Sequence, residues 1–327
     1  AKIYEKEGSD CWFSDDPQKF LGKKYVAEDY EKLSDIVEVW FDSGSTHSFV
    51  LEKRNDLKWP ASMYLEGSDQ HRGWFHSSLL QSCGTRGKAP FESILSHGFV
   101  VDGKGLKMSK SLGNVISPED ILKKYGADIL RIWVASSNYA EDLRIDYGIL
   151  DQHSDSYRKI RNTFRYLLGN LNDKFENIDL EKINLEELPE LEQFMLHKIY
   201  CLNLEFEKYF KNYDFHNLYK ELLNFCTTDL SAFYFDIRKD CLYCDPKDSD
   251  KRKSTLILLN IILDSLLKWF APILSFTTEE IFQLISKNKK SIHLEKFMNY
   301  PKKFQNFNLN EKWLVLLKIR DVCNLSI

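Results

Sequence analysis

The change in hydrophobic pattern after Gly148 constrains the fold of this chain most strongly. Beyond it, four long segments carry apolar residues at three- and four-residue spacing, which is typical of amphipathic helices. These segments are residues 149–171, 191–210, 215–238 and 254–285. Helices of this length bury their apolar faces most simply against one another, so the sequence predicts an antiparallel all-α bundle.

The region before Gly148 has a different texture. Short apolar runs alternate with one helical stretch, residues 73–83, and with Gly and Pro residues. Alternation of strand, helix and strand is typical of an α/β unit with parallel strands. The sequence therefore predicts an α/β region followed by an all-α region, with strands expected at residues 37–41, 62–65, 94–95 and 99–101.

Size, charge and cysteine content narrow the class of protein. A chain of 327 residues exceeds the size at which one core keeps growing, so at least two domains are expected. A net charge of -4 argues against bulk electrostatic coating of nucleic acid and leaves room for local basic patches. Seven scattered cysteines favour a reduced, cytoplasmic compartment over a disulfide framework. No apolar run suggests a membrane span or a signal segment.

Residues 102–114, DGKGLKMSKSLGN, carry the strongest chemical signal. Glycines around the lysines predict a backbone-exposed loop that lacks apolar anchors and is mobile without ligand. Lys107 and Lys110 would place fixed positive charge against the negative charge that develops during phosphoryl transfer. A solvated lysine loop is the alternative, and composition alone favours it.

A second block, YLEGSDQHRGWF at residues 64–75, places two acids and an amide between a predicted strand and a helix. Open α/β sheets bind ligands at such positions, and a carboxylate there could hold ribose hydroxyls or an ammonium group. Asp69 is equally well explained as a helix cap, and Trp74 as a core aromatic residue.

The string KMSKS at residues 107–111 resembles the second signature of class I aminoacyl-tRNA synthetases. Together with VWFDSGS at residues 39–45 and HGF at residues 97–99, the block at 64–75 resembles the isoleucyl branch of that family. The resemblance implies a partial Rossmann-like nucleotide-binding half-domain and then an α-helical anticodon-binding bundle. It also implies activation of isoleucine with ATP and Mg²⁺ to isoleucyl-adenylate, and transfer to tRNA-Ile.

Individual roles follow from the resemblance, residue by residue. Lys107 and Lys110 are implied as catalytic, with Lys110 as the stronger candidate for a direct ATP contact. The implied ATP-binding loop is Lys107, Met108, Ser109, Lys110 and Ser111. The implied contacts to the aminoacyl-adenylate are Glu66, Gly67, Asp69, Gln70, His97 and Gly98. Two aromatic walls of the isoleucine pocket are implied at Trp40 and Trp74.

Two further features concern tRNA and metal. Arg158, Lys159, Arg161 and Arg165 lie close together without an intervening acid and could track phosphates, although such runs are more often solvated surface. Cys241 and Cys244 form a CxxC that lacks the second ligand pair of a structural zinc site. We therefore expect no metal site in these residues. From the resemblance introduced above, we also expect the family's C-terminal zinc extension to be absent from these residues.

The family's first signature, His-x-Gly-His, does not occur in the 327 residues. We therefore expect a fragment that is inactive alone. Its expected parts are a connecting segment at residues 1–36, one interpretation being the return from an editing insertion; the second half of the catalytic domain at 37–114; a linking stem-contact segment at 115–148; the anticodon-binding domain at 149–300; and the start of a C-terminal junction at 301–327.

Three functional hypotheses remain open from the sequence. The first is a monomeric isoleucine-specific synthetase fragment. The second is a tRNA-binding module without catalysis. The third is a sister synthetase for another branched amino acid, such as valine. Amino-acid-dependent pyrophosphate exchange by the full-length parent protein distinguishes them. Exchange with isoleucine indicates the first hypothesis, and exchange with another branched amino acid such as valine indicates the third. Tight tRNA binding without exchange indicates the second.

Overall fold

The structure is a computed structural model that describes residues 1–171, 175, 178–286 and 290–326. Parts of the expected segments 149–300 and 301–327 therefore lie outside the described residues. The chain divides into two compact units, Ala1–His97 and Gly98–Ile327. None of the helices in the described part combines the length and the hydrophobicity that crossing a membrane requires.

The first unit opens with three short helices, α1 (Lys2–Glu7), α2 (Cys11–Ser14) and α3 (Gln18–Leu21). The run at residues 37–41 was expected to be a strand, and that expectation is wrong. It leads instead into helix α4 (Val39–Gly44), because the carboxylate of Glu38 accepts a hydrogen bond from the Trp40 backbone N–H at 2.7 Å and caps the helix.

A two-stranded parallel sheet forms the centre of the first unit. Strand β1 (Tyr64–Gly67) pairs with β2 (Ile94–His97), with Gly67 opposite His97. Helix α5 (Trp74–Arg86) connects the two strands, as the strand, helix and strand alternation predicted. The predicted parallel pairing is confirmed here.

The second unit begins with a second parallel pair, β3 (Val100–Asp102) and β4 (Leu143–Ile145). Helices α6 (Pro118–Tyr125) and α7 (Ala127–Ser136) lie between these strands in the chain. The Ser117 side chain accepts from the Asp120 N–H and Pro118 occupies the first helical turn, so α6 begins shortly after the lysine loop.

Long helices make up the rest of the second unit. They are α8 (Tyr147–Leu171), α9 (Glu190–Lys211), α10 (Phe215–Asn224), α11 (Asp236–Cys244), α12 (Asp250–Phe270), α13 (Ser275–Ile285) and α14 (Phe307–Ser326). A π-helical stretch, Phe225–Phe235, joins α10 to α11, so the predicted helix at 215–238 is continuous and longer than expected. The predicted helix at 254–285 divides into α12 and α13 around Pro272, which has no backbone N–H to donate.

The bundle is held by a continuous apolar core and by polar contacts within it. Asp128 of α7 accepts hydrogen bonds from the Phe276 and Thr277 N–H groups and so caps the start of α13. Glu192 of α9 is fully buried and forms a bidentate ion pair with Arg238 of α11, with both N–O distances at 2.6 Å. The α/β region followed by an all-α region confirms the predicted fold class.

Candidate functional site

Asp102, at the end of β3, braces the lysine loop of residues 102–114. Its Oδ1 accepts from the backbone N–H groups of Lys104 at 2.9 Å and Leu106 at 2.8 Å. Its Oδ2 accepts from Asn114 Nδ2 at 2.8 Å. The Asn114 hydrogen bond is the largest of the contacts that hold the pKa of the Asp102 carboxyl below its ordinary value. Both ends of the loop therefore meet at one carboxylate.

The interior of the loop is also organised. Asn114 Oδ1 accepts from the Ser109 N–H at 2.9 Å, and Ser109 Oγ accepts from the Leu112 N–H and caps a short 3₁₀ turn, Lys110–Leu112. Met108 is partly buried and packs against the hydrophobic core of the bundle. The expectation that the loop lacks apolar anchors is therefore wrong.

The two lysines of the signature are exposed, and neither forms an ion pair with any residue in the described part of the chain. The backbone of Lys107 bridges to Val101, which fixes the base of its side chain. Ser111 Oγ lies 3.1 Å from Ser109 Oγ. The loop therefore holds its backbone in place and presents Lys107 and Lys110 to solvent, where an anion could bind.

The two tryptophans expected around the isoleucine side chain lie together in the first unit. Trp74 stacks on Tyr64 at 4.1 Å between ring centroids, and its Nε1 donates to the Ser43 carbonyl at 2.9 Å. The Trp40 ring lies against Gly73, where an added Cβ would stand 2.9 Å from the ring. Gly73 therefore lets the two indoles approach the same turn.

The residues expected to contact an adenylate cluster at the end of β1 in the same unit. Gln70 Oε1 accepts from the Trp74 N–H at 2.9 Å, and its Nε2 donates to Asp69 Oδ2 at 3.1 Å. A Cβ on Gly67 would stand 2.7 Å from Asp69 Oδ1, so a side chain there would displace the Asp69 carboxylate. Glu66 is exposed on β1, and His97 is half-buried on β2.

Gly98 follows directly but belongs to the second unit. Its N–H donates to the Tyr139 carbonyl at 2.9 Å, and an added Cβ would stand 2.3 Å from the Glu141 carbonyl oxygen. Real Cβ atoms never approach backbone that closely, so only glycine fits. The His97–Gly98 pair thus joins a residue fixed in one unit to a residue fixed in the other.

The four basic residues proposed for tRNA are all exposed on α8. Arg158, Arg161 and Arg165 follow i, i+3, i+7 spacing and share one face, whereas Lys159 lies about 100° away around the helix. Arg158 pairs with Asp155 at 2.6 Å, and Arg161 pairs with Glu280 at 3.5 Å. Lys159 and Arg165 form no ion pair with the described residues.

The cysteine and histidine residues do not assemble into a metal site in the described part of the chain, where no group of three or more candidate ligands occurs. Cys241 is buried with its Sγ 3.9 Å from Thr255 Oγ1, and Cys244 is exposed. Burial raises the pKa of the Cys241 thiol.

Asp102, Asn114 and Gly73 are the site residues whose roles were missed from sequence. A usable signal existed for Asp102, since an Asp that follows a strand and precedes a Gly-containing turn commonly accepts backbone N–H groups two residues on. Asn114 and Gly73 carry no such signal, because their partners depend on side chains brought together by folding.

Two family models match the chain. The model "tRNA synthetases class I (I, L, M and V)" matches residues 1–146, which include the candidate residues of the lysine loop, the adenylate contacts and the isoleucine pocket. The model "Anticodon-binding domain of tRNA ligase" matches residues 192–324, which contain α10 to α13 and most of α9 and α14. The two matches follow the predicted order of an α/β region and a helical bundle.

Curated relatives align with this chain over nearly its whole length. An isoleucine–tRNA ligase of Pelagibacter ubique is 80% identical over 327 residues, which is 100% of this chain and 36% of that protein. An isoleucine–tRNA ligase of Mesorhizobium japonicum is 48% identical over 98% of this chain and 32% of that protein. The chain thus spans about a third of the length of the curated relatives it matches.

Solved structures share the fold. A LeuRS–tRNA–LeuAMS ternary complex from Agrobacterium radiobacter aligns with a TM-score of 0.60 and 16% identity, covering 76% of this chain and 29% of that one. A methionyl-tRNA synthetase of Mycobacterium tuberculosis with methionyl-adenylate aligns with a TM-score of 0.57 and 18% identity, covering 76% and 50%. The chain belongs to the class I aminoacyl-tRNA synthetase family.

Proposed function

We propose that this chain is part of an isoleucine–tRNA ligase that activates isoleucine with ATP and transfers it to tRNA-Ile. The observation that carries the proposal is the braced loop with two exposed lysines that form no ion pair with any described residue, found in a sequence that is 80% identical to an isoleucine–tRNA ligase. A solvated lysine loop does not need a carboxylate and an amide to hold its ends together.

In the proposed first step, a carboxylate oxygen of isoleucine attacks the α-phosphorus of ATP, and the bond to pyrophosphate breaks. Negative charge grows on the phosphoryl oxygens, where Lys107 and Lys110 would stabilise it, with Mg²⁺ accompanying ATP. Met108, Ser109 and Ser111 would position the loop over the nucleotide. In the second step a ribose hydroxyl of tRNA attacks the adenylate carbonyl and AMP leaves.

The residues at the end of β1 would hold the adenylate. Glu66 and Asp69 offer carboxylates to an ammonium group or to ribose hydroxyls, and Gln70 is fixed by its bond to the Trp74 N–H. Gly67 and Gly98 allow close approach of backbone, and His97 lies beside Gly67. Trp40 and Trp74 would form apolar walls for the isoleucine side chain, a pocket that separates isoleucine from valine only weakly.

The helical unit would bind tRNA. Arg158, Lys159, Arg161 and Arg165 present positive charge along α8 for the phosphate backbone. In this proposal residues 1–36 connect to an editing insertion, 37–114 complete the catalytic domain, 115–148 contact the tRNA stem, 149–300 bind the anticodon arm, and 301–327 begin a junction. The seven cysteines, none of them in a disulfide in the described residues, support a cytoplasmic compartment. We propose a monomer.

ATP–pyrophosphate exchange by the full-length protein that carries this sequence tests the proposal. Exchange should depend on isoleucine, with valine giving a kcat/KM on the order of a hundredfold lower. Tight tRNA binding without any amino-acid-dependent exchange would favour a non-catalytic tRNA-binding module. Preference for valine would favour the sister enzyme. The 327-residue chain alone should show no exchange, and light scattering should report one copy per particle.

A further inference from the structure

The end of α7 at Ser136 and the short connection to β4 contact two distant parts of the second unit; we refer to residues 136–142 as the crossing segment. On one side it meets Gly98, whose N–H donates to the Tyr139 carbonyl and whose Cα lies against the Glu141 backbone. Next to this contact, the Phe99 N–H donates to Asp142 Oδ1 at 2.8 Å. The crossing segment therefore sets where Gly98 lies.

On its other side the crossing segment meets the turn between α9 and α10. The Tyr139 hydroxyl donates to the Tyr213 carbonyl at 2.8 Å, and His216 Nδ1 donates to the Ser136 carbonyl. Burial raises the pKa of Tyr139, which keeps the hydroxyl protonated as a donor at neutral pH.

The α9–α10 turn is a defined structure and a suitable anchor. Tyr213 has φ of 57°, a conformation that residues other than glycine rarely adopt. Asp214 then caps α10 by accepting from the Asn217 N–H at 3.2 Å, and its own N–H donates to the Tyr209 carbonyl at 2.9 Å. The carbonyl that Tyr139 reaches is thus held by local geometry on both sides.

We propose that Tyr139 is a positioning residue for the aminoacyl site: it ties the crossing segment to the helical bundle and so holds Gly98 where the adenylate binds. The inference rests on the proposed role of Gly98. One residue thereby links the helical bundle to Gly98 through two hydrogen bonds: its hydroxyl donates to the Tyr213 carbonyl, and its backbone carbonyl accepts from the Gly98 N–H.

Loss of the Tyr139 hydrogen bond is expected to lower kcat more than it raises KM. A small displacement of a group beside the reacting atoms lowers the fraction of productive geometry, which affects the transition state more than the ground state. Tyr139→Phe keeps the ring and removes only the hydroxyl. We expect kcat for isoleucine-dependent pyrophosphate exchange to fall about fivefold, the size of effect that one net hydrogen bond supports, while KM for isoleucine and for ATP changes less than twofold.

The experiment uses the full-length protein, with Tyr125→Phe as a matched control. Tyr125 also loses a hydroxyl bond, to Asp151 at 2.8 Å, but it does not touch the crossing segment, so kcat should stay within twofold of wild type. His216→Ala removes the second contact and should give a similar fall in kcat, whereas His216→Asn, which keeps a donor near Nδ1, should restore most of it.

The outcomes separate this proposal from the broader one. No isoleucine-dependent exchange by the wild-type protein would contradict the proposed function itself. An active wild type whose Tyr139→Phe variant keeps kcat within twofold would overturn the positioning role, as would a fall in kcat that Tyr125→Phe reproduces or one expressed wholly in KM. The double variant Tyr139→Phe/His216→Ala should lose little more than either single variant, because both contacts hold the same segment.

Discussion

The lysine loop and the centre of the helical bundle use positive charge in opposite ways. Arg238 is buried and donates two hydrogen bonds to Glu192, and Tyr234 and Thr255 also donate to that carboxylate. Lys107 and Lys110 stand exposed on a loop whose hydrogen bonds involve other groups. A positively charged side chain that stabilises the fold is buried beside a carboxylate, whereas one that is available to a ligand is exposed and has no such partner among the described residues. Both kinds occur in this 327-residue chain.

Breaking the buried pair should have the largest effect on stability. Arg238→Met leaves the Glu192 carboxylate buried without its cation, and we expect a loss of about 3–5 kcal/mol in the free energy of unfolding, measured by urea titration followed by circular dichroism. Lys239→Met is the matched control, because its pair with Asp236 is exposed to solvent and the free energy of unfolding should hardly change.

The companion replacement sharpens this test. Adding Glu192→Leu to Arg238→Met removes the unpaired charge, and stability should recover most but not all of the loss, because the buried Tyr234 hydroxyl then lacks its acceptor. A double variant no more stable than Arg238→Met would show that the buried charge is not the cause of the loss.

Removing an available charge should leave stability intact and slow the reaction. Lys110→Ala in the full-length protein should lower kcat for isoleucine-dependent exchange by a factor on the order of a hundred to a thousand, because the loop offers that charge to the transition state. KM for isoleucine and the melting temperature should hardly change. Lys302→Ala, an exposed lysine far along the chain, serves as control; a near-native kcat for Lys110→Ala would refute the catalytic role.

The brace of the loop should matter less than its charge. Asp102→Asn turns the contact with Asn114 Nδ2 into one between two donors, and we expect about a tenfold fall in kcat. The exchanged pair Asp102→Asn/Asn114→Asp restores a donor opposite an acceptor and should recover most of the activity. If the exchanged pair remained as slow as Asp102→Asn, the hydrogen bond would not be what the loop requires.

The lowered pKa of Asp102 adds a pH dependence with a definite sign. A carboxyl whose folded pKa is depressed stabilises the loop fully above its ordinary pKa of about 4, and that contribution disappears as the pH falls through the lowered folded value. The brace should therefore be intact throughout pH 6–8. An Asp102-dependent change in exchange rate within that range would contradict this assignment.

The smallest effects are expected on α8, where paired and unpaired arginines can be compared directly. Arg165→Ala should weaken tRNA binding about three- to tenfold and lower the slope of log Kd against log salt concentration by about 1. Arg158→Ala should do less, since Arg158 already pairs with Asp155. Filter binding over a salt series distinguishes the two; equal losses would mean that the ion pair opens when tRNA binds.

Sequence patterns predicted the helices and the parallel strands because each depends on local periodicity. The long helices and the strand, helix and strand order around α5 could both be read in this way. The lysine signature was likewise visible, since its residues are contiguous. The run at 37–41 was misread because a short apolar run does not distinguish a strand from a helix, and the Glu38 cap decided the outcome.

What only the tertiary structure decided are contacts between residues far apart in sequence. Glu192 and Arg238 are 46 residues apart, and Tyr139 and Tyr213 are 74 apart. Asn114 closes the loop on Asp102, and Gly98 lies against Glu141 so closely that no side chain fits. Periodicity carries no information about such pairings, because each requires two elements to be packed before the partners meet. The sequence by itself therefore determined most of the elements and showed the lysine signature, and packing determined which groups hold them in place.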